Sequence, residues 1–122
     1  MNILVTGAGG FIGHHLTSFL RNQGHKVRGL DLKEPAYSAT QAHEFVIGDL
    51  RDLDSCLPAF QGIDRVYALA ADMGGMGFLS QNPAQIFRNN AQIDLNTFEA
   101  ARIHKCKRLL YASSACVYPE SL

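Results

Sequence analysis

The chain has 122 residues, 47% of them hydrophobic, which suits one globular domain with a real core and excludes an intrinsically disordered protein. Eleven basic residues balance eleven acidic ones, so a broad nucleic-acid or anionic-membrane surface is excluded and any bound anion must be held locally. Three scattered cysteines (Cys56, Cys106, Cys116) form no metal-spaced pair, no metal site is expected, and with no leader-like or membrane-length apolar run the expected compartment is the reducing cytoplasm.

Met1 to Thr6 is a short apolar run closed by Gly7, Gly9, Gly10 and Gly13, the pattern of a buried strand entering a tight turn. Phe11 to Gln23 follows helical spacing, with Ile12, Leu16, Phe19 and Leu20 expected on the buried face and Gly24 as the stop. A second strand spans Lys26 to Leu30 and ends on Asp31. After a polar connection, His43 to Ile47 forms a third strand, ending on Gly48 and Asp49. Leu53 to Phe60 is expected to be one short helix, and Arg65 to Leu69 a fourth strand running into Ala70, Ala71 and Asp72. A glycine-rich segment, Met73 to Phe78, precedes a long helix from Pro83 to His104, with Ile86, Ile93, Leu95, Phe98 and Ala101 on its apolar side. Leu109 to Ala112 is the fifth strand, opening onto Ser113 to Pro119.

Strands alternating with helices at this spacing predict an α/β, doubly wound Rossmann-type parallel sheet with right-handed crossovers, in the order 3-2-1-4-5. In such sheets ligands sit at the carboxyl ends of the strands. The glycine turn, Asp31, Asp49, the Ala-Ala-Asp segment and the Ser-Ser-Ala-Cys segment all fall at such ends.

Gly7, Gly10 and Gly13 form a GxxGxxG pattern, which permits a tight turn, backbone approach to a phosphate and close packing of helix on strand. N–H groups at the start of the helix, around Phe11, Ile12 and Gly13, then meet the phosphate charge. Because the turn follows a strand, opens a helix and is succeeded by an acid at the end of strand 2, a dinucleotide site outweighs a turn alone. Asp31 suits the hydroxyls of the adenosine ribose, and its charge disfavours a 2′-phosphate, so NAD is expected over NADP, with Lys33 nearby pulling the other way and a solvated acid opening a turn as the alternative. Asp49 and Leu50 are placed to line an adenine pocket, although Asp49 equally suits the N-cap of the following helix. His14 and His15 lack ligand partners at suitable spacing and are expected to be packing or surface residues.

TGAGGFIG (6–13), GDLRD (48–52), LAA (69–71), the Asn89-Asn90 pair and SSACVYP (113–119) together resemble the extended short-chain dehydrogenase/reductase superfamily. Those motifs run through the whole chain. LAADMGGMGF (69–78) with YASSACVYPE (111–120) further resembles the GDP-mannose 3,5-epimerases; GDP-fucose synthases share the Ser-x-Cys-x-Tyr-Pro stretch but fit the other loops less well. The resemblance implies NAD as cofactor, contacted also by Ala70 and Ala71. It implies a nucleotide sugar, GDP-mannose, as substrate, and a homodimeric full-length protein.

The chemistry so implied is oxidation of a hexose carbon by NAD, proton removal next to the ketone, and re-reduction. Cys116 would be one acid/base group, suited by a thiol pKa of about 8.5 that nearby cations lower, with an inert apolar thiol as the alternative. Ser114 would hydrogen-bond the sugar oxygen being oxidised, with Ser113 its neighbour, although paired serines also cap turns. Gly74, Ser114, Ala115 and Cys116 would contact the sugar. Asn90 would support the proton relay, unless the Asn pair is a solvated face. Cys56 and Cys106 are expected to be structural.

The superfamily's Tyr-x-x-x-Lys is not in these 122 residues, since no tyrosine has a lysine four positions on. The expectation is therefore an N-terminal NAD-binding Rossmann part, residues 1–122, lacking the substrate domain and inactive by itself, with a self-associating edge around Leu109, Leu110, Val117 and Tyr118. The alternative from another class is a stand-alone dinucleotide-binding sensor or regulatory module.

Overall fold

A computed structural model describes residues 1–36, 38–72, 81–113 and 119. Five strands, β1 (Asn2–Thr6), β2 (Lys26–Asp31), β3 (Glu44–Ile47), β4 (Arg65–Ala68) and β5 (Arg108–Tyr111), form one sheet in the order β3-β2-β1-β4-β5. Every pairing is parallel, with Thr6 opposite Leu30 on one side and Ala68 on the other. The topology is the one expected, and all five carboxyl ends open on the same edge. β1 lies at the centre with both faces covered, which is why Ile3, Leu4 and Val5 are apolar without alternation.

Side chains alternate across β1. Ile3 and Val5 pack with Val27, Ala8 and Leu20 beneath helix α1 (Phe11–Asn22). Leu4 points the other way, into a larger core with Leu30, Phe60, Val66, Ile93 and Ala100. Helix α2 (Leu53–Cys56), a 3₁₀ turn (Leu57–Phe60) and helix α3 (Pro83–Ile103) cover that side.

Three sequence expectations need correction. The buried face of α1 is Gly13, His14, Thr17 and Leu20, whereas Ile12 and Phe19 are 68% and 58% exposed. Gly13 and Thr17 face the sheet because the helix approaches β1 too closely there for larger side chains. On α3 the buried residues are Ile86, Ile93, Thr97, Ala100 and Ala101, whereas Leu95 and Phe98 face outward. Here too a hydroxyl goes inward, since Thr97 satisfies itself by donating to the Ile93 carbonyl at 2.6 Å. Finally, Leu53 to Phe60 is not one helix: Pro58 has no N–H to continue the α pattern, and the chain tightens into a 3₁₀ turn.

Among the described residues no helix is long and apolar enough to cross a membrane. The closeness of α1 to β1 gives a direct test. A Cβ on Gly13 would lie 2.1 Å from the Gly7 carbonyl oxygen. Gly13→Ala should therefore destabilise the fold by about 1–3 kcal/mol, as overpacking does, seen as a lower urea midpoint with an unchanged slope.

Candidate functional site

The turn after β1 is drawn tight by backbone bonds: Gly7 N–H donates to the Leu30 carbonyl at 2.9 Å, and Gly10 N–H to the Gly7 carbonyl at 3.1 Å. Gly7 has φ +71°, and a Cβ there would also lie 2.9 Å from the Ala70 nitrogen. Only glycine satisfies both constraints. Gly10 is the N-cap of α1 with no side chain to cap it, and the first turn carries no acidic residue. The positive end of the helix is thus left to face the cleft beside the turn.

Asp31 ends β2 with both carboxylate oxygens engaged: Oδ2 accepts from Gly9 N–H at 2.9 Å and Oδ1 from Leu32 N–H at 2.6 Å. Each oxygen keeps a further lone pair for a hydroxyl donor. After β3, Asp49 does not cap α2. That role belongs to Asp52, whose side chain accepts from Asp54 N–H at 3.2 Å. Asp49 is instead gripped by Arg51, which donates from Nε at 3.0 and 3.1 Å and from Nη2 at 2.7 Å. The guanidinium, through these bonds first, holds the Asp49 carboxyl below its usual range. Leu50 is buried, and Asn96 of α3 fixes its carbonyl with a 2.8 Å bond.

The segment after β4 is pinned at both ends. Thr6 Oγ1 accepts from Leu69 N–H at 3.1 Å and Ala70 N–H at 3.2 Å. Asn90 of α3 clamps Asp72: its Oδ1 accepts from the Asp72 N–H at 2.6 Å and its Nδ2 donates to the Asp72 carbonyl at 3.1 Å. Asn89 donates to the Asp72 carboxylate at 2.8 Å. The Asn pair is therefore no solvated face, and both polar ends of Asn90 hold the loop.

These pieces enclose a cleft of about 590 Å³. Gly7, Gly10, Phe11, Ile12, Gly13, Asp31, Asp49, Leu50, Ala70 and Ala71, the ten residues expected to meet a cofactor, all line it. So do Asp72 and Ser113, from two of the strand-end segments expected to meet a ligand, and Leu32, Arg51 and Ala112, which sequence reasoning did not assign to it. Arg51 was legible within GDLRD, but its grip on Asp49 was not. Gly74, Ser114, Ala115 and Cys116 lie outside the described residues.

Burial pushes the Cys56 thiol up to about 11 and also raises that of Cys106, as befits packing residues. His14 is buried with Nε2 2.7 Å from Ser38 Oγ, and His15 stacks edge-on to Phe11. Among the described residues no cluster of three potential metal ligands occurs.

A sheet of this order, with a glycine cradle at a helix N-terminus and an acid closing the second strand, defines a dinucleotide-binding α/β domain. A model of the NAD dependent epimerase/dehydratase family matches residues 3–122, and the chain belongs to that family. It is 48% identical to GDP-mannose 3,5-epimerase 1 of Oryza sativa subsp. japonica over 122 residues, covering 98% of this chain and 32% of that protein. The GDP-mannose 3,5-epimerase of Arabidopsis thaliana is 47% identical over the same shares. The Thermus thermophilus UDP-glucose 4-epimerase, solved in complex with NAD, superposes with a TM-score of 0.82 at 31% identity, over 93% of this chain and 38% of that one. The chain thus spans about a third of the length of the curated relatives it matches.

The Asp49–Arg51 pair makes a pH-dependent prediction. A carboxyl held below its unfolded pKa of about 4 stabilises the fold above that pH and loses the contribution as pH falls through its folded value. Arg51→Ala should therefore cost a few tenths of a kcal/mol at pH 6, as half-exposed pairs do, and less at pH 2.5. Paired urea titrations at the two pH values measure the difference.

Proposed function

We propose that residues 1–122 form the NAD-binding part of a nucleotide-sugar epimerase whose substrate is GDP-mannose, epimerised through transient oxidation. The observation that carries this is the cradle itself. At Gly7 and Gly13 a side chain would strike backbone, and the space kept clear lies at the N-terminus of α1, beside Asp31 and along the Ala70–Ala71 wall. That arrangement fits a pyrophosphate with a ribose at one end. The identity to two plant GDP-mannose 3,5-epimerases supports the choice of sugar nucleotide.

Backbone N–H groups around Gly10 to Gly13 would hold the pyrophosphate, Asp31 the adenosine ribose, and Asp49 with Leu50 the adenine. The Asp31 carboxylate repels a 2′-phosphate and accepts from a 2′-hydroxyl, so NAD is preferred over NADP. When bound, NAD supplies a reversible hydride acceptor at a sugar carbon. A carbon next to the resulting carbonyl is acidic, and by resemblance to the GDP-mannose 3,5-epimerases Cys116 would exchange its proton, with Ser114 as hydrogen-bond partner of the sugar oxygen. Gly74 and Ala115 complete the sugar contacts. Hydride chemistry in the superfamily also draws on Tyr-x-x-x-Lys, which these 122 residues do not contain. They are accordingly expected to bind without turnover, and a homodimeric, cytoplasmic full-length protein fits the same reading.

Isothermal titration of the 122-residue chain should show NAD binding at least tenfold tighter than NADP, a gap of about 1.4 kcal/mol. Equal affinities, or tighter NADP, would overturn the assignment of Asp31. A full-length protein incubated with GDP-mannose in deuterated water should incorporate deuterium into the hexose, and Cys116→Ser should reduce that exchange at least a hundredfold, the scale of general acid–base catalysis. Exchange into UDP-glucose alone would replace the substrate.

A further inference from the structure

Gly9 stands inside the glycine turn but outside the GxxGxxG triplet, and it does not line the cleft. Its φ is not in the left-handed region, so its backbone conformation alone does not call for glycine. Space does. A Cβ on Gly9 would lie 2.2 Å from the Lys33 carbonyl oxygen and 2.9 Å from Asp31 Oδ2. The chain leaving β2 is therefore folded down onto the turn at this point, and the Gly9 N–H donates to Asp31 Oδ2 at 2.9 Å. With Leu32 N–H on Oδ1 at 2.6 Å, the carboxylate is held from two sides by the backbone.

We propose that Gly9 is a specificity-positioning residue: by letting the Lys33 carbonyl close against the turn, it fixes the Asp31 carboxylate where a 2′-hydroxyl is accepted and a 2′-phosphate is refused. This rests on the NAD binding proposed above. Charge on Asp31 alone would disfavour a phosphate by repulsion, which a mobile side chain relieves by turning away. A carboxylate bonded to two N–H groups cannot turn without losing both bonds, and hydrogen bonds to a charged acceptor are the stronger kind. Any residue larger than glycine at position 9 must push Lys33 away and loosen both restraints.

The test uses Gly9→Ala in the 122-residue chain, with NAD and NADP titrated separately by calorimetry and folding followed by circular dichroism and urea unfolding. NAD affinity should fall on the order of tenfold while NADP affinity falls less, narrowing the NAD-to-NADP ratio severalfold. A purely structural role would weaken both ligands equally and leave the ratio unchanged, which would overturn the proposal. Asp31→Ala removes the acceptor without crowding the turn. In that variant, without any dinucleotide, the Gly9 amide should exchange with solvent at least tenfold faster and the amide resonances of Leu32 and Lys33 should shift. Unchanged Gly9 exchange would sink the proposal even if Gly9→Ala fails to fold. Should the unmodified chain bind neither dinucleotide, the NAD assignment fails and this inference with it. Should it prefer NAD while Gly9→Ala keeps the ratio, only the inference fails.

Discussion

The carbonyl oxygen of Gly7 sits where a side chain on Gly13 would have to be, and this near-contact between the end of β1 and the first turn of α1 sets the rest of the molecule. It brings the helix close enough that its buried face must be small and self-satisfying. Gly13 and Thr17 fill it, with the Thr17 hydroxyl donating back to the Gly13 carbonyl at 2.7 Å. The same tightness turns Phe11 and Ile12 outward to the rim of the cleft and directs the N-terminus of α1 across the strand ends. A dinucleotide cradle follows from how little room there is between one strand and one helix.

The remaining walls are tied to that corner by polar side chains as well as by apolar packing, in which Leu50 joins the core and Leu69 and Ala70 lie against it. Thr6 joins the end of β1 to the segment after β4, Asn90 joins that segment to α3, and Asn96 joins α3 to the carbonyl of Leu50. Each bond reaches a backbone group in a loop that has no strand or helix partner of its own. Loops at the carboxyl ends of strands leave such groups unpaired, and burying them unsatisfied is costly. The Asn and Thr side chains therefore hold the edge where ligand binding is proposed, and Asp31 does the same for the glycine turn while keeping lone pairs free.

Membership of the NAD dependent epimerase/dehydratase family agrees with this construction. The relatives are about three times as long. The described part of these 122 residues builds the cleft at the carboxyl ends of the strands.

Strand order and eight of the cleft-lining positions were legible in the sequence, because strand runs, glycine spacing and an acid at a strand end are local patterns with few physical alternatives, while Ala70 and Ala71 came from the family resemblance. The inward faces of α1 and α3 were not. Periodicity assigns Ile12, Phe19, Leu95 and Phe98 to the core by hydrophobicity, but the distance between helix and sheet decides which residues fit, and that distance is a property of the assembled sheet. The contest over Asp49 was likewise closed only in three dimensions, where Asp52 takes the cap and Arg51 takes Asp49. So too was the part played by Gly9, since nothing in its neighbours along the chain announces that the carbonyl of Lys33, twenty-four positions on, comes to rest against it. Glycine spacing after an apolar run was enough to locate a tight turn opening a helix, the form that suits a phosphate. Which backbone atoms crowd that turn emerges with the assembled sheet, because a contact between distant segments is set by how the strands pair and not by either segment alone.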